Sequence, residues 1–114
     1  MKEIKIMDTT LRDAHQSLWA TRMTTAMMLS VAERMDRIGF DAIDLPIGGA
    51  HIDVGVRYLK ENPWEKLRLL CRNITRTPLN GPVRSKTGAG FDVVPNDIPL
   101  LWLELLIANG MRRF

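Results

Sequence analysis

The chain has 114 residues, enough for one domain or part of one. Apolar residues make up 46% and charged residues 25%, which fits a folded globular protein and excludes a disordered one. The net charge is +3 with a pI near 9.4, but the basic residues are scattered beside acids, so no nucleic-acid partner is expected.

A single cysteine, Cys71, excludes an internal disulfide and a cysteine-rich metal site. It sits among leucines and reads as a small core residue. The longest apolar run, Ile98 to Ala108, falls short of the ~20 residues that span a bilayer, so no membrane span is expected. No signal peptide is legible after Met1, and the expected compartment is the cytoplasm.

In chain order, Glu3 to Ile6 alternates polar and apolar and predicts a first strand. Ten residues then gather two carboxylates, an arginine, an imidazole and an amide: Asp8-Thr9-Thr10-Leu11-Arg12-Asp13-Ala14-His15-Gln16-Ser17. Such a composition suits a site better than a core, because each buried charge would need a partner.

A helix follows, capped by Thr24 or Thr25, with Met28, Val31, Ala32, Met35 and Ile38 predicted inward. Glu33, Arg34, Asp36 and Arg37 are predicted outward, and Gly39 suits a left-handed C-cap. Phe40 to Leu45 predicts a second strand with Asp44 near its end. Pro46, Gly48 and Gly49 make a tight loop, and a short helical stretch runs from His51 to Lys60. Asn62-Pro63-Trp64-Glu65 restarts a helix that buries Leu67, Leu70, Cys71 and Ile74 and exposes Lys66, Arg68 and Arg72.

Thr77 to Arg84 predicts a third strand, a poor one by composition because Asn80, Gly81 and Pro82 lie in its middle. A glycine-rich loop, Gly88-Ala89-Gly90, leads to a helix capped by Asn96 or Asp97 and apolar almost all round from Leu100 to Ala108. Met111 to Phe114 begins a fourth strand.

The order is β-loop-α repeated about three times, plus the start of strand four. That is α/β organisation, and the polar loops follow the strands, as in part of a TIM (β/α)8 barrel. A complete barrel needs about 250 residues. A flavodoxin-like open sheet is the alternative fold.

The Asp8 to Leu18 block, with Ala20-Thr21-Arg22-Met23 after it, resembles the first strand and loop of the carboxyltransferase domain of biotin-dependent enzymes. These include pyruvate carboxylase, the oxaloacetate decarboxylase alpha subunit and the pyruvate-side subunit of transcarboxylase. Gly48-Gly49-Ala50 with Asp53 and Arg57, Asn62 to Leu67, and Ala108 to Phe114 agree in order and spacing. Residues 1–114 then correspond to the N-terminal portion of that barrel domain.

The resemblance implies a carboxyl group moved between carboxybiotin and pyruvate or oxaloacetate through an enolate. It implies a divalent metal ion of the Zn, Mn or Co class, and biotin carried on another domain or subunit. Asp13 resembles the metal-ligating carboxylate, and Gln16 an amide near metal and substrate. Arg12 resembles an arginine beside the enolate oxygen, and Arg84 the arginine that grips the substrate carboxylate. His15 and His51 could ligate a metal by type, but both are read as structural or supporting residues.

The pattern departs from the family at Asp44-Leu45-Pro46-Ile47, at Ser85-Lys86-Thr87, and at Phe91, where a tyrosine is usual. The family's modified lysine, its His-x-His ligands and its proton-shuttling threonine belong to later strands and have no counterpart here. The chain alone is therefore expected to be inactive or to need complementing fragments. A metal-dependent acyl-CoA lyase or synthase is a second reading, and a non-catalytic remnant or interaction module a third. The apolar Leu100 to Ala108 helix predicts an oligomer or self-association, which a clean monomer in sedimentation would contradict.

Overall fold

A computed structural model describes residues 1–84 and 92–114. The Ser85-Lys86-Thr87 departure, the Gly88-Ala89-Gly90 loop and Phe91 lie outside the described residues.

The elements alternate as expected. β1 is Met7–Asp8, followed by a π-helical turn at Thr10–Ala14 and α1 at His15–Trp19. Next come α2 (Thr25–Asp36), β2 (Ala42–Asp44), α3 (Gly49–Val54) and a second π-helical turn at Gly55–Leu59. α4 (Pro63–Asn73), β3 (Leu79–Asn80) and α5 (Asp97–Ala108) complete the order.

The strands are parallel in the order β1-β2-β3, with Asp8 beside Ile43 and Asp44 beside Asn80. A parallel bridge from Asn80 to Arg113 marks the next strand position, where Gly81 N–H donates to Arg113 O at 2.9 Å. Sequential order is that of a barrel wall. A flavodoxin-like sheet would place its first strand between the second and third.

Local chemistry explains the helices. Thr24 caps α2, its hydroxyl accepting from Met27 N–H. Asn62 caps α4, its carbonyl accepting from Trp64 and Glu65 N–H, with Pro63 at the first helical position. Gly39, just past α2, takes φ +94°, which costs a glycine little.

Met28, Ala32 and Met35 form the buried stripe of α2, and Leu67, Leu70 and Ile74 that of α4. Both share a core with Ile43 of the central strand and Leu45 just after it. Trp64 and Trp102, with ring centres 4.9 Å apart, join α4 to α5. Gly81 has no room for a side chain, since a Cβ there would lie 2.6 Å from Ile47 Cδ1 and 2.8 Å from Met111 Cε. That close packing accounts for the glycine in an otherwise poor strand sequence.

Four expectations need correction. The first ladder pairs Met7 and Asp8, while Ile4 and Ile6 are exposed, so the alternation marks an extended lead-in more than a paired strand. Ile38 lies beyond the end of α2 and Val31 at the edge of its apolar stripe, and both are exposed. Asp36 is buried, because it faces the turn before β3. Lys66 is buried too, because Glu61 pairs with it at 3.0 Å.

On α5, Leu100, Leu101, Leu105 and Ile107 remain exposed, as the all-round apolar sequence predicts. Among the described residues, no helix is long and apolar enough to cross a membrane.

Candidate functional site

Asp8 ends β1 and turns the chain. Its carboxylate accepts from Thr10 N–H at 3.0 Å and from the Thr10 hydroxyl at 2.9 Å. The backbone then widens into the π-helical turn. Thr9 O accepts from the N–H groups of Arg12, Asp13 and Ala14, closest from Asp13 at 2.7 Å. Leu11, fully buried, anchors the turn to the core. Isolated π-helical turns of this kind recur at functional sites.

Two imidazoles hold the widened turn. His15 Nε2 accepts from Met23 N–H at 2.7 Å, so the ring proton sits on Nδ1, which donates to Leu11 O at 3.0 Å. His51, from α3, donates from Nε2 to Arg12 O at 2.9 Å. The two ring centres are 5.2 Å apart. Successive carbonyls of the turn, Leu11 and Arg12, thus each meet an imidazole N–H.

Met23 reaches His15 because Ala20 and Thr21 both take left-handed backbone, φ +48° and +62°, and double the chain back. Burial lowers the pKa of His15 despite its bond to Leu11. Burial, with His15, Arg12 and Lys66 adding positive charge nearby, pushes His51 down to about 4. Both rings are therefore neutral hydrogen-bonding parts of the scaffold, as read from the sequence.

The turn presents Asp13 outward, with Arg12 partly buried beside it. Arg12 Nη1 lies 3.4 Å from Asp13 Oδ1, with the Asp13 side chain largely exposed. Gln16 is exposed on α1, three residues past Asp13 and so on the same side of the helical run. Arg84 is exposed four residues beyond β3. Among the described residues, no hydrogen bond or ion pair joins it to Arg12, Asp13 or Gln16.

Asp13 is the exposed carboxylate of this turn. No three His, Cys, Asp or Glu side chains among the described residues gather to hold an ion, and the bonded nitrogens of His15 and His51 are committed. A divalent site wants three or more protein ligands, so these residues do not make one by themselves.

Other polar contacts support the site from behind and escape sequence reasoning. At the ends of β2 and β3, Asn80 Nδ2 donates to the buried Asp44 carboxylate. The adjacent apolar runs give no sign of this pair. Glu61 accepts from Thr25 N–H at 3.0 Å and from its hydroxyl at 2.8 Å, tying the loop before α4 to the start of α2. Burial raises the Glu61 pKa, but its bonds from Thr25 and Lys66 outweigh that and leave it lowered. Cys71 is half-buried beside Gly110, and burial raises its thiol pKa, consistent with a packing role.

No family model matches the chain. Individual proteins do. It is 44% identical over 114 residues to a pyruvate carboxylase subunit from Methanothermobacter thermautotrophicus, covering all of this chain and 20% of that protein. It is 50% identical over 111 residues to the corresponding pyruvate carboxylase subunit from Methanocaldococcus jannaschii, covering 97% of this chain and 19% of that protein. The 2-oxoglutarate carboxylase large subunit from Hydrogenobacter thermophilus is 38% identical over 113 residues, with 99% of this chain and 17% of that protein covered. The chain thus spans about one fifth of the length of the curated relatives it matches.

Among solved structures, the carboxyl transferase domain of Rhizobium etli pyruvate carboxylase with 3-hydroxypyruvate superposes with a TM-score of 0.91 at 31% identity. That match covers 99% of this chain and 19% of the other. The same domain with pyruvate and biocytin gives 0.86 at 31% identity, over 96% of this chain and 19% of the other. Over the part that it spans, the chain is therefore a homologue of pyruvate carboxylase subunits and of the carboxyl transferase domain of pyruvate carboxylase.

Proposed function

We propose that residues 1–114 form the N-terminal portion of a carboxyltransferase barrel, three β/α units with the start of a fourth. Their role is to supply one wall of a site that transfers a carboxyl group between carboxybiotin and pyruvate or oxaloacetate. The observation that carries this is the widened turn directly after β1, which sets a partly buried Arg12 beside an exposed Asp13 at a strand end. Strand ends of this polarity form the catalytic rim of such barrels.

In this reading the Arg12 guanidinium faces the developing enolate oxygen, where a fixed cation stabilises negative charge in a water-poor site. Gln16 donates its amide to the same substrate. Arg84 grips the substrate carboxylate, a task that suits a guanidinium fork. Asp13 would be one ligand of a divalent ion of the Zn, Mn or Co class, which when bound supplies Lewis acidity to the 2-oxo acid. The remaining ligands, and biotin on its carrier domain or subunit, come from elsewhere in the assembled enzyme. The exposed side of α5 supports self-association, for which sedimentation is the test. The proposed compartment is the cytoplasm.

Calorimetric titration with pyruvate and with Mn²⁺ tests the site. Arg12→Gln and Arg84→Gln are each expected to weaken pyruvate binding about tenfold, the loss of one charge-assisted contact. Asp13→Asn is expected to weaken Mn²⁺ by a similar factor in the assembled enzyme, where the remaining ligands are supplied, while leaving the fold intact. Binding unchanged in all three variants would contradict the assignment.

A further inference from the structure

His51 takes no part in the proposed chemistry, yet it reaches the site loop from 39 residues away. The residue is 4% exposed, packed against His15, and carried on α3 in the second β/α unit. We infer that His51 is a positioning residue: its Nε2–H holds the Arg12 carbonyl and thereby fixes how the Arg12 and Asp13 side chains face a 2-oxo acid. This rests on the reading proposed above.

The geometry supports a role beyond filling space. A π-helical turn has a widened backbone ring with weaker internal support than an α-helical one. Asp13 and Ala14 N–H both converge on Thr9 O, and the Arg12 carbonyl takes a backbone N–H from His15 shared with Thr10 O. Within the turn the Arg12–Asp13 peptide is thus held at its N–H, 2.7 Å from Thr9 O, while its carbonyl has only a shared donor. His51 adds a directed bond from outside it, onto the peptide that joins the two side chains. Rotation of that peptide would swing both Arg12 and Asp13. Displacements near 1 Å at a positioned group can cost about a hundredfold in function. His15 supports the neighbouring carbonyl from within the same run, so the two rings fix the turn from two separate elements.

A satisfied core histidine would instead matter for stability alone. The two roles separate in His51→Gln, His51→Asn and His51→Ala. The glutamine amide can place an N–H donor near the position of Nε2, whereas the shorter asparagine amide mimics Nδ1. Pyruvate is titrated into the isotope-labelled protein and followed by NMR, well below the Tm of each variant.

The glutamine variant is expected to bind within about threefold of the native chain and to keep the Arg12 carbonyl ¹³C shift. Asparagine and alanine are expected to bind at least about tenfold more weakly and to move that shift. If alanine fails to fold, the glutamine and asparagine pair decides. Equal pyruvate binding by the native chain and every folded variant would overturn the positioning role and leave the proposed function standing. Absence of pyruvate binding by the native chain would overturn the proposed function, and this role with it.

Discussion

Asp36→Ala is expected to lower the unfolding free energy by about 3 kcal/mol, a large effect for the loss of one side chain. The Asp36 carboxylate accepts from Thr77 N–H at 2.7 Å, Thr75 N–H at 2.9 Å and Arg76 N–H at 3.0 Å. The Thr77 hydroxyl also donates to the Asp36 backbone carbonyl. These bonds fix the turn between α4 and β3 onto the end of α2. Thr77 is buried, so alanine leaves its N–H without water or partner, while exposed Thr75 and Arg76 can turn to solvent. Asp36→Asn should cost roughly half as much, since one carboxamide oxygen still accepts. Urea unfolding is the measurement. A loss under about 1 kcal/mol for the alanine variant would show that the turn is held by other means.

Acid should destabilise the chain in two stages. His51 has a folded pKa of about 4 against an ordinary value of 6.5, and His15 is shifted in the same direction. Both folded sites therefore prefer the neutral ring, while the unfolded chain binds protons below about pH 6.5. Stability should be level above that pH and fall as pH drops toward 4, with His51 contributing up to about 3 kcal/mol.

Protonation also changes the hydrogen bonding. A proton on His15 Nε2 would point at Met23 N–H, donor against donor. Asp36 has the opposite charge logic. Burial raises its carboxyl pKa, but the bonds from Thr77, Thr75 and Arg76 outweigh that and hold it below the usual value. Its contribution is present above about pH 4 and is lost as pH falls through its folded value. Denaturant midpoints from pH 3 to 8 should thus decline first through the histidine window, with a further loss below it. His51→Gln should flatten the upper part of the decline. A midpoint independent of pH between 7 and 4.5 would contradict the neutral, buried placement of the two rings.

The features that the sequence discloses are those fixed by neighbouring residues. Thr24 and Asn62 cap helices through bonds two or three residues away, so their spacing betrays them. Gly39, three residues past α2, takes the left-handed backbone that its sequence position suggests, although Arg37 is the residue that caps the helix. The alternation of strands and helices follows from apolar spacing, and sequential parallel pairing follows from short crossovers. Arg12, Asp13 and Gln16 stand out because charged and polar residues after a strand need a reason.

Long-range partners are not legible in the same way. Asp36 looks solvent-facing because the N–H groups that bond it lie 39 to 41 residues ahead. Asn80 looks wrong for a strand because its side chain answers Asp44 on another one. His51 looks solitary because its partner is a backbone carbonyl, which carries no sequence signature. The Thr10–Ala14 turn is bonded by two imidazoles from separate elements, which local propensity does not foretell. Lys66 is the nearest case: Glu61 is only five residues away, yet Glu61 is itself held by Thr25, 36 residues earlier.

On the proposed reading, Arg12 and Arg84 border one 2-oxo-acid site. With arginine side chains labelled by ¹⁵N, pyruvate should shift the Nε–Hε signals of both residues along curves that share a single Kd. Movement of only one of them, or two curves with different midpoints, would contradict a shared site.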